Sequence, residues 1–360
     1  PQLTSAQGAE NTTLKYLEKA GPLDALVADG WEPTAGIGDV ASFTPTYTVA
    51  VSGGTHTTVQ SAIDAAVAAG GTKRLYIKVS PGTYREVVCV PSTAPPITLY
   101  SSSTDASQTV IVYNNYAGKA KPSGTPANPC NPNTSASTYG TSGSATFAAY
   151  ARDFQAKNLT ISNDTDESAV SGSVQAVALM TQADKLIFEN VRLLGNQDTF
   201  YAKTSSVDTV SRTYVKDSSV EGDVDFIFGR ATLVLDGCTI QYLTARQGSK
   251  GGYIVAPSTD ARNPYGILVV NSTLTAEAGT KEGLVALGRA WDEGQGDLTK
   301  YAMNVATGVY PNGQAVIRNS TLGAHIRAAD PWDEAATTHR PFSSTEGMYP
   351  ANRLYEYDNT

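Results

Sequence analysis

The chain has 360 residues, 32 of them glycine, and only 17% are charged, with a net charge of −8. That balance offers no basic stripe to displace phosphate counterions, which argues against nucleic acid as a partner. No run of 18 apolar residues occurs, so no membrane-spanning helix is expected.

The first residues, Pro1 to Gly8, are polar and carry no charged start followed by an apolar stretch, as expected of a trimmed mature chain or of a cytosolic one. Ala- and Leu-rich runs at 14–20, 23–28 and 58–69 predict helices, with Gly21-Pro22 parting the first two. Val59, Ile63, Ala66 and Val67 give the third an apolar face. An N-terminal helix of this kind is expected to cap the open end of a stack of strands. Residues 75–79, Leu-Tyr-Ile-Lys-Val, predict the first firm strand, followed by a turn at Pro81-Gly82-Thr83. The stretch 116–143, rich in Pro, Gly, Ser and Asn, predicts a long surface loop.

From Phe154 onward one pattern recurs. Segments 154–161, 186–193, 214–220, 233–240, 267–274 and 315–322 each hold an apolar run, then Asn158, Asn190, Asp217, Gly237, Asn271 or Asn319, then an apolar residue three further on. Irregular repeats of one short, strand-rich unit predict an all-β parallel solenoid, with residues 1–360 forming a single domain. After Leu322 the pattern fades into Trp332, Pro341 and a Tyr-rich tail, expected to pack along the side of the solenoid.

The three cysteines are too few and too scattered for a zinc site, so no metal is expected. Cys238 falls at a repeat position and predicts a buried thiol, whereas the pairing of Cys89 with Cys130 stays open. Of six Asn-Xaa-Ser/Thr sequons, those at Asn158, Asn271 and Asn319 are repeat positions with a turn-forming role, and Asn11 and Asn133 are the better glycan acceptors.

Two acidic motifs stand out: Gly195-Asn196-Gln197-Asp198-Thr199-Phe200-Tyr201 and Gly222-Asp223-Val224-Asp225-Phe226-Ile227-Phe228-Gly229. Each sets a carboxylate among apolar neighbours, where charge is costly without a partner or a role. Asp198 and Asp225 are 27 residues apart, about one coil, so they are expected to face each other on neighbouring rungs with one pKa raised. Whether Asp223 shares a face with Asp225 stays open, because Gly222 can mark a turn there.

Together with Leu287-Gly288-Arg289-Ala290-Trp291, Gly82-Thr83-Tyr84-Arg85-Glu86 and Gln175-Ala176-Val177-Ala178-Leu179, these motifs resemble the pectin methylesterases from about Thr58 to Tyr357. The resemblance implies a right-handed parallel β-helix with an N-terminal helical cap and long surface loops. It also implies a secreted, monomeric esterase that removes methyl groups from methyl-esterified homogalacturonan without cofactor or metal. Carried onto matching positions, it makes Asp225 the nucleophile, Asp198 the acid and then base, and Gln175 and Gln197 the oxyanion donors. Arg289 would orient Asp225, and Trp291, Tyr201, Phe228 and Val224 would contact the sugar. Ala290 stands where the family usually has proline, and Ser218 where some relatives carry a cysteine that could pair with the position of Cys238. The span between the two aspartates is also longer than usual, around residues 204–211.

Each residue has a plainer explanation: Asp198 as a turn former, Arg289 as a structural ion-pair partner, the glutamines as a side-chain ladder, Trp291 as packing. A Ser-His-Asp esterase is disfavoured, since no Gly-Xaa-Ser-Xaa-Gly occurs and His56, His325 and His339 have no nucleophile context. A lyase would need a calcium cluster, for which Asp198, Asp223 and Asp225 are a sparse basis. A non-catalytic carbohydrate-binding solenoid, or a relative acting on other acyl esters, is the remaining alternative.

Overall fold

A computed structural model describes residues 1–342 and 349–360. The chain is mostly β, and its strands stack in parallel, coil on coil, as a parallel β-helix. Two compact units are described in turn: residues 33–201 with 213–221, and residues 1–32 with 202–212 and 222–360.

In the unit built on residues 33–201, each coil contributes to three parallel faces. One face runs through Tyr47–Val49, Leu75–Val79, Ile97–Tyr100 and the first half of Gln155–Asn163. The second runs through Gly82–Arg85, Thr109–Tyr113 and the second half of Gln155–Asn163. Val88–Val90, Phe147–Ala149 and Leu179–Thr181 form the third. Gln155–Asn163 serves two faces because Asn158 turns the chain with φ at 63°. Asn190 makes the same corner in Leu186–Leu194, with φ at 49°. Asn and Asp tolerate this left-handed region better than other residues with a Cβ. The corners are also bonded to each other, Asn190 Nδ2 donating to Asn158 Oδ1 at 2.8 Å and Asn158 Nδ2 to the Ser101 carbonyl at 3.1 Å. The inward side of the coils is fully buried Ile77, Leu99, Ile111, Phe147, Phe154, Leu159, Ile161 and Phe188.

Helix Val59–Ala69 lies against Tyr47–Val49, Leu75–Val79 and Val88–Val90, so it covers the first rungs of this unit as its apolar face predicts. Thr58 caps it through its side chain, and Gly70 ends it at φ 60°. The loop 116–143 is tied down by a disulfide between Cys89 and Cys130, which settles the pairing the sequence left open.

The second unit repeats the plan with Ile227–Gly229, Tyr253–Pro257, Ala286–Arg289 and Trp332–Asp333 on one face. Thr232–Asp236, Ile267–Val270, Gln314–Arg318 and Arg353–Tyr357 form another, and Thr239–Tyr242, Thr273–Ala276 and Thr321–Leu322 the third. Corner residues Asn271 and Asn319 donate to Asp236 and Asp358, at 2.9 and 3.1 Å. The Tyr-rich tail is therefore not packed along the side: Arg353–Tyr357 adds a parallel rung in register with Gln314–Arg318, with Leu354 buried in the stack. Residues 343–348 of that tail lie outside the described residues.

Two expected N-terminal helices are corrected. Helix Thr13–Leu17 forms, but Lys19–Ala20 is already extended and pairs antiparallel with Val27–Ala28, where 23–28 was expected to be helical. Gly21 at φ 101° and the Pro22 turn reverse the chain too tightly for a helix to restart. A short helix at Ser5–Glu10, capped by a Thr4–Gln7 box, precedes it. No helix among the described residues is long and apolar enough to cross a membrane.

Candidate active site

Asp225 sits just ahead of strand Ile227–Gly229 with its backbone left-handed at φ 48° and its side chain 14% exposed. Arg289, at the end of Ala286–Arg289, meets it as a fork: Nε donates to Oδ1 at 3.0 Å and Nη2 to Oδ2 at 2.8 Å. The guanidinium carbon also lies 3.8 Å from the centre of the Tyr253 ring. Burial acts to discharge Arg289, but the hydrogen bond and charge of Asp225 outweigh it and raise its pKa above the ordinary value. A bidentate fork fixes both the position and the orientation of a carboxylate. Ala290 does not loosen this contact, because Ala290 is fully buried and its carbonyl accepts from Ala336 N–H.

Asp223 takes a different environment. It is fully buried and forked to Arg246, with Nε–Oδ2 and Nη2–Oδ1 both at 2.7 Å. Asp223 and Asp225 therefore do not converge on one cation. Among the described residues no three His, Cys, Asp or Glu side chains gather as a metal-ligand set.

Along the strand from Asp225, Phe228 meets Trp291 edge to face, with ring centres 5.7 Å apart. Trp291 N–H bonds to the Pro257 carbonyl, and the next residue, Asp292, is fully buried and forked to Arg340 at 2.9 Å on both arms. Val224 is half-buried beside Asp225. Gly229 closes the motif at φ 123° because a Cβ there would lie 2.0 Å from the Ala202 carbonyl oxygen.

In the other unit, Asp198 is 8% exposed and also left-handed, with φ at 65°. The turn carrying it is held from two sides. Gln197 N–H bonds to both carboxylate oxygens of buried Glu167 at 3.1 Å, and Thr199 Oγ1 donates to the Glu221 carbonyl at 2.8 Å. Gln175 and Gln197 are neighbours on adjacent rungs, since Ala176 N–H donates to the Gln197 carbonyl at 3.2 Å. Gln175 Oε1 is buried without a hydrogen-bond partner among the described residues. Tyr201 is buried to 5% exposure.

The fork on Asp225 and the Phe228–Trp291 pair join residues named from the motifs. Glu167, Arg246 and Arg340 were not named, and they hold the motif turns from 30, 23 and 48 residues away. The one hint was the bare demand that a buried carboxylate such as Asp223 find a partner.

The pectinesterase family model matches residues 46–313. A pectinesterase of Ralstonia solanacearum is 48% identical over all of this chain and 90% of its own length. The structure of rice weevil pectin methyl esterase covers 100% of this chain and 96% of its own at a TM-score of 0.83 and 34% identity. A pectin methylesterase solved in complex with a hexasaccharide aligns at a TM-score of 0.69 and 27% identity, covering 89% of this chain and 90% of its own. On this likeness in sequence along its whole length, the chain belongs to the pectinesterase family and is a carboxylic ester hydrolase.

Proposed function

We propose that residues 1–360 act as one domain, a secreted monomer that hydrolyses the methyl esters of methyl-esterified homogalacturonan to pectate and methanol. The observation that carries the reading is the Arg289–Asp225 fork inside two family motifs, which fixes the orientation of a carboxylate whose side chain stays 14% exposed. An Asp225 oxygen attacks the ester carbonyl carbon, and the negative charge that develops on the carbonyl oxygen is met by the amides of Gln175 and Gln197. Asp198 gives its proton to the departing methoxide, leaving a galacturonyl–aspartyl anhydride. Asp198 then takes a proton from water as the oxygen of that water attacks the galacturonyl carbon, freeing the uronic acid and Asp225. Trp291 and Val224, both partly exposed, offer apolar surface to the C–H faces of the sugar, while the buried Phe228 and Tyr201 pack behind as support. The Cys89–Cys130 disulfide supports secretion, since such bonds persist in oxidising compartments.

Methanol release from methylated pectin tests this reading. Asp225→Ala is expected to lower the rate by about a thousandfold or more while the circular dichroism spectrum stays that of the parent. Equal rates for the two proteins would remove Asp225 from the chemistry. A parent that cleaves an acyl thioester as fast as pectin would replace pectin specificity with general acyl hydrolysis.

A further inference from the structure

A groove of about 510 Å³ lies where the loop after Thr273–Ala276 meets the turn after Thr321–Leu322. Those two strands pair in a different sheet from Ala286–Arg289, which carries the fork on Asp225. Backbone bonds fix the walls: Gly323 N–H donates to the Leu274 carbonyl and Gly283 N–H to the Ala324 carbonyl, both at 2.9 Å, and Val285 N–H to the His325 carbonyl at 2.8 Å. A Cβ on Gly323 would lie 2.6 Å from His325 Nδ1 and 2.8 Å from the Leu274 carbonyl oxygen, so glycine is what lets the imidazole sit this close to the turn. His325 lines the groove at 5% exposure, and its Nε2 is buried without a hydrogen-bond partner among the described residues. The Tyr242 ring stacked on it supplies none, since the Tyr242 hydroxyl is itself buried and unpartnered. A buried polar atom left unpaired is costly, and a ligand in the groove is the partner within reach of this one.

The rest of the lining sets the chemistry of that ligand. Glu277 and Glu282 both line the groove, and among the described residues no Lys or Arg does. Glu277 Oε2 accepts the Thr244 and Ala245 N–H groups at 2.9 and 3.1 Å, which holds this carboxylate in place. Glu282 is exposed. Burial keeps the His325 ring neutral near pH 7, so one of its nitrogens is an acceptor. Leu274, Ala276, Ala278 and Ala324 supply apolar surface. Acceptors without cations select a ligand that brings N–H donors and positive charge, and the apolar surface selects methylene groups to carry them.

We propose that this groove binds a small alkyl diamine, with its ammonium groups on Glu277 and Glu282, its methylenes over the alanines and one ammonium N–H donated to His325 Nε2. The site is separate from the ester chemistry and does not rest on the function proposed above. The test is titration of 1,4-diaminobutane into the full chain at low salt, followed by calorimetry and by the imidazole resonances in nuclear magnetic resonance. With only three histidines in the chain, the His325 signal is the one missing from His325→Gln. The expected result is one-site binding that moves the His325 signal, weaker for butylammonium and undetectable for 1,4-butanediol. Glu282→Gln, a change at an exposed residue that does not threaten the fold, is expected to weaken binding by roughly fivefold. Glu32→Gln, the same loss of charge at an exposed residue elsewhere, is expected to leave it unchanged. Equal weakening by the two variants, or binding that leaves the His325 signal unmoved, would mean general attraction to a chain of net charge −8 and overturn the site. Butanediol bound as tightly as the diamine, or no binding of the diamine to the parent, would overturn it as well.

Discussion

At the scale of single residues, the contrast between Asp223 and Asp225 shows how one backbone angle decides a role. Strand alternation would put two residues two apart on one face, but Asp225 is left-handed at φ 48°, and the alternation breaks there. Asp223 is turned onto Arg246 and Asp225 onto Arg289. No sequence pattern reports φ at a single Asp, which is why the relation between the two was open beforehand. His325 carries a residue-scale prediction. It is buried, its ring lies 6.4 Å from that of Tyr242 at 17° between planes, and burial pushes its pKa down to about 4. In the unfolded chain it titrates near its ordinary 6.5. Between those values the unfolded state binds a proton that the folded state refuses, so stability is complete above pH 6.5 and declines toward pH 4. The full loss is on the order of 3 kcal/mol. Urea midpoints of the parent and His325→Gln across pH 4 to 7 should show the smaller pH slope in the variant, and parallel slopes would mean the imidazole protonates freely in the fold.

At the scale of elements, the stacked coils are held by side chains that repeat with the corners. Just past the corners at Asp217, Asn271 and Asn319 a serine hydroxyl bridges two rungs. Ser272 Oγ donates to the Val270 carbonyl at 2.8 Å and accepts Cys238 N–H at 3.0 Å, and Ser320 Oγ donates to the Arg318 carbonyl at 2.7 Å and accepts Ser272 N–H at 3.0 Å. In the other unit Ser218 donates to the Lys216 carbonyl and accepts Val191 N–H in the same way. Ser218 thus fills the place of a possible cysteine partner with a polar bridge, and Cys238 stays a buried thiol outside any disulfide. Ser272→Ala leaves a buried N–H and C=O without their bridge and is expected to cost about 2 kcal/mol. Chemical denaturation measures it, and a midpoint equal to that of the parent would show that the rungs do not depend on this hydroxyl. The corner residues were legible because Asn, Asp and Gly mark left-handed turns in any chain. The face made of Val88–Val90, Phe147–Ala149 and Leu179–Thr181 was not, because three-residue strands are too short to display a period.

At the scale of the whole chain, the motifs made the fork of Arg289 on Asp225 legible, while the supports of the site came from loops with no pattern of their own. Glu167 holds the Gln197 backbone across 30 residues, and Arg340 holds Asp292 across 48. Contacts of that kind depend on coil lengths, which vary from rung to rung. The same variability puts the long 116–143 loop under an entropic penalty, which the Cys89–Cys130 bond offsets by closing a separation of 41 residues. On chain-entropy grounds that closure stabilises the fold by about 4 kcal/mol. Cys130 is 4% exposed and Cys89 adjoins the Gln60 side chain of the Val59–Ala69 helix, so loss of the bond releases the loop and loosens the first rungs together. Cys89→Ser with Cys130→Ser is therefore expected to unfold at a clearly lower temperature, and the parent should shift to match it when dithiothreitol is added. Ala117 N–H of the same loop bonds to the Gln175 carbonyl at 2.8 Å, so methanol release is expected to fall in the double variant and its half-life on warming to shorten. A melting temperature indifferent to both the variant and the reductant would mean that the loop's own packing, rather than the covalent link, anchors this end of the fold.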